Sequence, residues 1–561
     1  VLSTVVARLA GHGRPAHEVW LPPLDEAPAV GTVVEACGPQ AELTLPIGVV
    51  DRPYDQRRDP LLVDLAGAQG GVVVVGGPQS GKSTALRTLV LAAALTHTPR
   101  QVQFYCIDLG GGSLAGLAAL PHVGSVASRL DGDRVRRTVA EVAGLIRRRE
   151  SVFRELGIES IAQYRAHPAG AADPHGDAFL VVDGWSVLRA EFESLETQIT
   201  QIATQGLSYG VHLVVAAGRW GEIRPAIKDQ LGTRIELRLG DPMDSEMGRR
   251  VAALVPLGRP GRGLTAEHLH MLIAVPRCDG HTGADGLPDA VAAAAADIAG
   301  RYDERAPEVR MLPAAVALEE IPVRRDRSPS DVVFGIGEAE LAPAVLRFEA
   351  QPFLLVFGDA ECGKTELLRT ITASLVAGGT PDQTKIVLVD YRRTLLGVVP
   401  PDHLGGYATS AQALTPMAAQ LAQLLRARCP GEDVTPQQLR ARSWWAGPDV
   451  YLVVDDYDLV AGAAGNPLAP LLELLPQARD VGLRVILARR SGGLARGLYE
   501  PFLGRVRDLT ADGLLMSGSR DEGSVLGGVK MSAMPAGRGT WVSRTRGNEL
   551  VQVALAARRD G

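Results

Sequence analysis

Two glycine-rich strings in the 561-residue sequence have the residue types that bind nucleotide phosphates. Each has the pattern G-x-x-x-x-G-K-[ST], follows an apolar run and precedes a helical pattern. In such a P-loop, backbone N–H groups surround the phosphates, the lysine reaches the β- and γ-phosphates, and the hydroxyl binds magnesium. ATP and Mg²⁺ are therefore the expected cofactors. The predicted phosphate-binding residues are Gly76, Gly77, Pro78, Gln79, Ser80, Gly81, Lys82, Ser83 and Thr84 in the first string, and Gly358, Asp359, Ala360, Glu361, Cys362, Gly363, Lys364, Thr365 and Glu366 in the second.

An aspartate ends a later apolar run downstream of each string. These residues are Asp183, after Phe179-Leu180-Val181-Val182, and Asp455, after Tyr451-Leu452-Val453-Val454. A rigid carboxylate at a strand tip beside a P-loop is what a magnesium ligand requires. The predicted metal ligands are thus Ser83 and Asp183 in the first copy, and Thr365 and Asp455 in the second.

The residue after this aspartate differs between the copies, being Gly184 in the first and Asp456 in the second. Related motor ATPases place a carboxylate here, usually Glu, which polarises the attacking water. Glycine cannot do this, so the first site is expected to bind ATP and hydrolyse it slowly unless another acid, such as Asp108, substitutes. Asp456 is the candidate catalytic acid of the second site. It is one methylene shorter than Glu, and the alternative reading is a solvent-facing loop acid.

Arginines follow the next predicted strand in both copies. Arg219 and Arg490 are candidate catalytic residues, because an arginine at this tip can sense the γ-phosphate or reach a neighbouring subunit. Asp108 and Asp390, at the tip of another predicted strand, suit a structural or water-ordering role. The run Arg147-Arg148-Arg149 is interpreted as a solvated helix face, since the apolar stripe of the same helix accounts for its packing.

The two strings belong to a repeat of two long modules. Asp108 follows Lys82 by as many residues as Asp390 follows Lys364, and Gly261-Arg262-Gly263 recurs as Gly537-Arg538-Gly539. Short β-branched runs alternate with helical patterns, which predicts an α/β fold with a mainly parallel sheet flanked by helices in each module. The expected domains are 14–302 and 303–561, divided after the alanine-rich helix that ends at Tyr302. Residues 1–13 resemble the closing helix of a module, so they are interpreted as a linker helix or the tail of an upstream module.

Composition excludes several classes of protein. The net charge of −6, from 58 basic and 64 acidic residues, is not that of a protein that coats nucleic acid. The five cysteines include no C-x-x-C pair, so neither a disulfide framework nor a zinc site is indicated. No apolar run approaches the roughly 18 residues that cross a bilayer, and no signal peptide is recognisable. A cytoplasmic location is therefore expected.

Several strings resemble the EccC ATPases of type VII (ESX) secretion, in the FtsK/SpoIIIE superfamily. They are Asp51-Arg52-Pro53, Gln56-Arg57-Arg58-Asp59-Pro60, 102–112, 117–123, Asp390-Tyr391-Arg392 and Ser443-Trp444-Trp445. In that family a membrane-anchored part is followed by three ATPase modules, sometimes split into two polypeptides. The resemblance covers nearly the whole chain and implies that its RecA/FtsK-like modules are the second and third of these.

The resemblance implies a motor and receptor that recognises WXG-type helical-hairpin substrates through a C-terminal signal and drives or gates their export. It also implies docking at the inner face of the plasma membrane, an upstream module or membrane-anchored partner subunit, and assembly as a hexameric ring, with no nucleic acid expected. The last module of the family is credited with substrate binding, but no motif assigns pocket residues. Two alternatives stay open: a DNA translocase of the same superfamily and a non-hydrolysing scaffold stabilised by ATP.

Overall fold

The computed structural model describes residues 2–13, 21–322, 327–462, 465–510, 512–544 and 547–557. The chain divides into two compact units, Val1–Val309 and Arg310–Gly561. The boundary lies a few residues after the predicted division at 302, because the intervening segment packs on the first unit: Ala306 N donates to Pro121 O at 2.7 Å. The predicted start of the first module at residue 14 lies outside the described residues.

The first unit contains ten strands and eleven helices within its described residues. The strands are β1 (Thr44–Arg52), β2 (Arg57–Asp64), β3 (Val72–Val75), β4 (Val102–Asp108), β5 (Val123–Ser128), β6 (Asp177–Asp183), β7 (Val211–Ala217), β8 (Thr233–Leu237), β9 (Arg262–Leu264) and β10 (His270–Ile273). The helices are α1 (Leu2–Leu9), α2 (Val30–Cys37), α3 (Lys82–Thr96), α4 (Gly132–Leu156), α5 (Ile161–Ala166), α6 (Pro168–Ala172), α7 (Trp185–Glu191), α8 (Glu193–Gln205), α9 (Pro225–Lys228), α10 (Arg249–Ala252) and α11 (Leu287–Ala299).

The ten strands form one sheet in the order β2-β1-β10-β9-β8-β3-β7-β6-β4-β5. The strands from β8 to β5 in this order are parallel, and those from β2 to β8 pair antiparallel. Every residue of β3, β4, β6 and β7 is buried, as expected for strands covered on both faces. Their carboxyl ends lie side by side at one edge, which is where open α/β sheets bind ligands.

The second unit repeats this architecture. Its strands are β11 (Asp331–Gly337), β12 (Pro343–Arg347), β13 (Phe353–Gly358), β14 (Thr384–Val389), β15 (Leu404–Ala408), β16 (Asp449–Val454), β17 (Leu483–Arg490), β18 (Asp512–Met516), β19 (Ser524–Leu526), β20 (Val529–Lys530), β21 (Arg538–Ser543) and β22 (Gly547–Val553). Its helices are α12 (Lys364–Gly378), α13 (Ala411–Arg426), α14 (Pro436–Ala441), α15 (Tyr457–Val460), α16 (Leu494–Gly497) and α17 (Pro501–Leu509).

The main sheet of the second unit has the order β12-β11-β22-β21-β18-β13-β17-β16-β14-β15, and β19 and β20 form a separate hairpin. Position by position this is the order of the first sheet, so the predicted repeat of two P-loop modules is confirmed. The antiparallel half of each sheet was not predicted. Apolar side chains cover both faces of each sheet and form two large core clusters in the described part of each unit, with one smaller cluster beside them.

The arginine run on α4 and the helix α1 differ in their burial. The reading of Arg149 as a solvated residue is wrong: it is 2% exposed, and its guanidinium donates to Asp173 Oδ2 at 2.9 Å and to Tyr209 O at 2.6 Å. Helix α1 buries none of its residues. Across the described ranges, no helix combines the length and apolar character needed to span a bilayer.

Candidate nucleotide-binding sites

Each P-loop is a tight turn between a buried strand and a long helix. Gln79 and Gly81 have positive φ values of 57° and 100°, and Glu361 and Gly363 have 59° and 104°. A Cβ atom on Gly81 would lie 2.7 Å from the backbone N of Gly261. The last glycine is thus required both by its left-handed φ and by the close approach of a second segment. The two loops have the same backbone conformation at these positions.

Each P-loop lysine donates hydrogen bonds to carbonyl oxygens of its own loop. Lys82 Nζ donates to the carbonyl oxygens of Gly76 and Gly77, both at 2.8 Å. Lys364 Nζ donates to Gly358 O at 3.0 Å and to the next carbonyl at 2.6 Å. Burial lowers the pKa of Lys82, so its charge is poorly solvated where it lies. A cation beside a helix N-terminus fits nucleotide phosphates, because both attract negative charge.

The repeated Gly-Arg-Gly strings support these loops. Gly261 N donates to Ser80 O and Gly537 N donates to Cys362 O, each at 2.8 Å. Cys362 is 4% exposed, and burial raises the pKa of its thiol. The thiol is therefore a packing group of the loop, as expected, and not an activated nucleophile.

A hydroxyl–carboxylate pair lies next to each P-loop. Ser83 Oγ donates to Asp183 Oδ2 at 2.6 Å, and Thr365 Oγ1 donates to Asp455 Oδ2 at 2.7 Å. Both aspartates are 2% exposed, and burial raises the pKa of each. The predicted metal ligands of each copy are therefore brought together in a poorly hydrated place that favours a cation.

This donor set fits Mg²⁺ of the kind that nucleotides carry. Such an ion takes one or two protein oxygens and completes its octahedron with phosphate oxygens and water. One hydroxyl and one carboxylate per site meet that requirement. No group of three or more His, Cys, Asp or Glu residues able to hold a metal occurs in the described part of the chain.

Asp108 and Asp390 anchor the loop that follows their strand. Asp108 accepts the backbone N–H groups of two glycines at 3.2 and 3.1 Å and of Leu114 at 2.6 Å. Asp390 accepts Leu395 N at 2.7 Å and Tyr407 Oη at 3.1 Å. Because both Asp108 oxygens accept backbone N–H groups, a structural role fits this residue better than replacement of the missing acid.

The position after the metal aspartate has left-handed backbone in both units. Gly184 has φ 88° and Asp456 has φ 45°. The Asp456 carboxylate is 12% exposed, and its Oδ2 lies 3.3 Å from Nη1 of Arg392, which is 64% exposed. The candidate catalytic acid is thus not a freely solvated loop residue. It is held in an ion pair that the first unit has no residue to form at this position.

The two candidate arginines occupy different levels of the sheet. Arg490 pairs with Gly358, the first glycine of its P-loop. In the first unit Ala217 pairs with the residue before the P-loop, so Gly218 is level with its first glycine. Arg219 therefore lies one residue further along than Arg490. The expected one-to-one match between these arginines does not follow from the strand register.

Their surroundings differ as well. Arg490 lines a cleft of about 530 Å³ together with Lys364 and Asp456. The Arg219 side chain is 68% exposed, and its Nε lies 3.9 Å from Oε1 of Glu222. Glu222 also accepts Gly218 N at 2.9 Å, which fastens this carboxylate at the tip of β7. Both arginines are exposed, but Arg490 lines the cleft of its own unit, whereas Arg219 lies beside Glu222.

Sequence reasoning missed three polar side chains of these sites. Ser113 Oγ lies 3.3 Å from Asp183 Oδ2, and Thr394 Oγ1 lies 3.3 Å from Asp455 Oδ2, so each metal aspartate accepts a second hydroxyl. The third is Arg392. The available signal was a hydroxyl residue shortly after each anchoring aspartate, five residues on at Ser113 and four residues on at Thr394.

The sequence matches the FtsK/SpoIIIE family over residues 37–279 and 317–441. It is also 49% identical over 571 residues to the ESX secretion system protein EccC of Thermomonospora curvata, covering 99% of this chain and 43% of that protein. It is 41% identical over 535 residues to the ESX-1 secretion system protein EccCb1 of Mycolicibacterium smegmatis, covering 92% of this chain and 90% of that protein. The chain belongs to the EccC family.

A solved structure of ATPases 2 and 3 of T. curvata EccC, in complex with a signal sequence peptide, superposes with a TM-score of 0.90. That fragment is 49% identical, and the match covers 96% of this chain and all of the fragment. The two units are thus tandem EccC ATPase modules, and the expected correspondence to the second and third modules is confirmed. The chain spans less than half the length of the T. curvata EccC protein.

Proposed function

We propose that this chain is the ATP-binding receptor and motor part of a type VII secretion system, and that it works at the cytoplasmic face of the membrane. In this proposal it recognises WXG-type helical-hairpin proteins through a C-terminal signal and drives or gates their export. The observation that carries the proposal is the likeness to the T. curvata fragment, whose structure contains a signal sequence peptide. The T. curvata EccC protein is longer than this chain, which covers 43% of it, and this supports an upstream module or partner subunit. The proposed membrane anchor of that partner and the hexameric assembly follow from the family resemblance.

We propose that such a signal binds in a cleft of the second module. A cleft of about 350 Å³ lies between the segment that follows α15 and the start of α17, and it is lined mainly by apolar or small groups, including Ala469, Leu472 and Phe502. Its one carboxylate, Glu500, accepts Tyr457 Oη at 2.6 Å and Asn466 Nδ2 at 2.9 Å. Because that charge is already bonded, the cleft suits the apolar face of a short amphipathic helix.

The proposed roles of the nucleotide sites follow from their side chains. Lys82 and Lys364 bind phosphate, and Ser83, Asp183, Thr365 and Asp455 orient the ion. Bound ATP would supply the phosphoanhydride bond whose hydrolysis can drive movement, and Mg²⁺ would neutralise charge on the phosphates. The first module holds ATP with slow turnover, because Gly184 has no side chain to polarise water. Asp456 is placed to polarise it in the second, where its partner Arg392 restrains it.

A peptide titration tests the receptor function. A labelled C-terminal peptide of a WXG-type substrate is titrated with the chain, and binding is read by fluorescence anisotropy in the presence of excess duplex DNA. We expect saturable binding that DNA does not displace. Ala469→Asp should weaken it about tenfold or more by burying a charge against the peptide, whereas Asn548→Asp adds the same charge at a different, polar cleft and should not.

The opposite result would assign a different function. If the peptide does not bind and DNA binds tightly with strong salt dependence, the chain is a translocase. ATP turnover of Lys82→Ala and Lys364→Ala separates motor from scaffold. If neither variant changes a measurable rate, nucleotide serves only to stabilise the fold and its interfaces.

A further inference from the structure

One loop differs chemically between the modules. It joins the anchoring aspartate to the next hydroxyl residue and comprises residues 109–112 in the first module and 391–393 in the second. Equivalent contacts align its end: Leu114 N and Leu395 N donate to the anchoring aspartates at 2.6 and 2.7 Å. The hydroxyls of Ser113 and Thr394, one residue earlier, lie equally far from the metal aspartates. Between these fixed points the first module has Leu-Gly-Gly-Gly and the second has Tyr-Arg-Arg.

The first module therefore has neither member of the ion pair found in the second. Glycine replaces Asp456, and glycines replace the segment that carries Arg392. If Arg392 were a general surface charge, nothing would require it to be absent from the module that also has no acid. Their joint presence in one module and joint absence in the other indicates that the arginine and the aspartate act together.

Packing explains how the first module closes this space. A Cβ atom on Gly184 would lie 3.1 Å from the backbone C of Leu109, and one on Gly110 would lie 2.8 Å from Asp183 Oδ2. The glycine loop thus packs against the strand tip, and a side chain at position 184 would crowd the Leu109 backbone. In the second module the corresponding loop accommodates the Asp456 side chain and places a long cation over the cleft.

Electrostatics gives Arg392 a task. Asp456 follows Asp455, and the pairing of Val389 with Val454 places Asp390 level with Asp455 on the neighbouring strand, so negative charge is concentrated at these strand tips. A terminal phosphate that enters this cleft is repelled by that negative charge. Lys364 already donates to two carbonyl oxygens of its own loop, so a second cation would help to bind the phosphate. Arg392 lines the same cleft as Lys364, and its side chain is largely solvated, so it can exchange partners at little cost in burial.

We propose that Arg392 is the residue by which the second module distinguishes ATP from ADP: it exchanges the Asp456 carboxylate for the terminal phosphate. Asp456 is its positioning partner, which holds the guanidinium over the cleft. This inference rests on the proposed ATP binding. It assigns the discrimination to the second module alone, because the first has no cation in the corresponding loop.

The test measures equilibrium affinity in the full chain carrying Lys82→Ala, which confines nucleotide binding to the second site. Dissociation constants for ATP and ADP with Mg²⁺ are determined by calorimetry for Arg392→Ala, Arg392→Lys and Asp456→Asn. We expect Arg392→Ala to weaken ATP about tenfold or more, as for the loss of a charged hydrogen bond, and to leave ADP within about twofold. Arg392→Lys should recover part of the loss.

Asp456→Asn should tighten ATP and leave ADP unchanged, because it removes the competing partner and one repelling charge. Arg393→Asn is the matched control: it removes a neighbouring exposed positive charge at a left-handed position that asparagine tolerates, and should leave the ratio of the two constants unaltered. Thermal unfolding without nucleotide checks that each variant folds.

Two results would overturn the inference. The first is an equal loss of ATP and ADP affinity in Arg392→Ala, which indicates a general charge effect. The second is that neither dissociation constant changes in that variant. Failure of the proposed function is distinguishable from both: in that case neither nucleotide binds the chain with an intact second site, or Lys364→Ala does not reduce binding.

Discussion

The two nucleotide sites share their binding frame and differ in the residues that face the terminal phosphate. The loop lysine, the hydroxyl–carboxylate pair and the anchoring aspartate recur with nearly the same distances. The first site then has glycines where the second has Asp456 and Arg392. In the proposed function, holding a nucleotide would therefore depend on the sheet edge, and acting on it would depend on two loop positions.

Removal of the loop lysine should give the largest effect and tests whether the frames are equal. Lys82→Ala and Lys364→Ala should each weaken nucleotide binding at their own site by about a hundredfold, since each removes a cation that reaches two phosphates. Binding stoichiometry by calorimetry would fall from two to one per chain in either variant. Lys530→Ala removes an exposed lysine from the β19–β20 hairpin and should change neither value. A stoichiometry of two in either lysine variant would contradict the comparison.

Exchange of the residue after the metal aspartate tests the separation directly. Asp456→Gly should lower ATP turnover at the second site to the level of the first. Gly184→Asp should not confer turnover and should destabilise the chain by about 1–3 kcal/mol, because a non-glycine residue at φ 88° is strained and its Cβ meets the Leu109 backbone.

Single-turnover hydrolysis and thermal unfolding measure these two outcomes. Asp456→Gly also removes the partner of Arg392, so Asp456→Asn, which keeps the side-chain volume, is its control. A Gly184→Asp chain that is stable and hydrolyses ATP faster than the parent would show that the acid alone, without the arginine loop, distinguishes the sites.

The sequence predicted the frame well, and for a clear physical reason. Phosphate binding needs glycines at positive φ and a lysine at the helix start, which are sequence-local requirements that one string reveals. The metal aspartates were predictable because each ends a fully buried strand. The same logic gave the parallel half of each sheet from its continuous apolar runs.

What the sequence did not reveal depends on contacts between distant segments. The strand register that separates Arg219 from Arg490 is set by pairing, and no local pattern fixes it. Arg149 lies in a charged run, yet its partners Asp173 and Tyr209 come from other elements and bury it. Arg392 lies in one of the strings that resemble EccC, but its ion pair with Asp456 depends on the path of the loop, which the sequence does not show.

The two strand-tip arginines should differ in a smaller but measurable way. Arg490→Ala should weaken ATP at the second site about threefold to tenfold, because Arg490 lines that cleft and a cation there attracts phosphate. Arg219→Ala should leave ATP affinity at the first site within about twofold, because its side chain is 68% exposed. ATP titration of each site, with the other site disabled, compares the two variants. Equal losses of ATP affinity would show that the two arginines are equivalent despite their different strand registers.

The smallest effect concerns the cost of the shared metal aspartates. Burial raises the pKa of Asp183 and Asp455 in the folded chain, so their ionised forms are disfavoured there. Above the raised pKa the folded state carries this cost, whereas below the unfolded pKa the group is protonated in both states and the cost disappears.

Asp183→Asn and Asp455→Asn, which still accept the neighbouring hydroxyls, should therefore raise the unfolding temperature by a few degrees at neutral pH without Mg²⁺. The gain should shrink towards pH 4 and be similar in the two modules. A gain in one module only would show that the frames differ where their geometry is alike, and a gain that grew on acidification would mean that these carboxylates stabilise the fold.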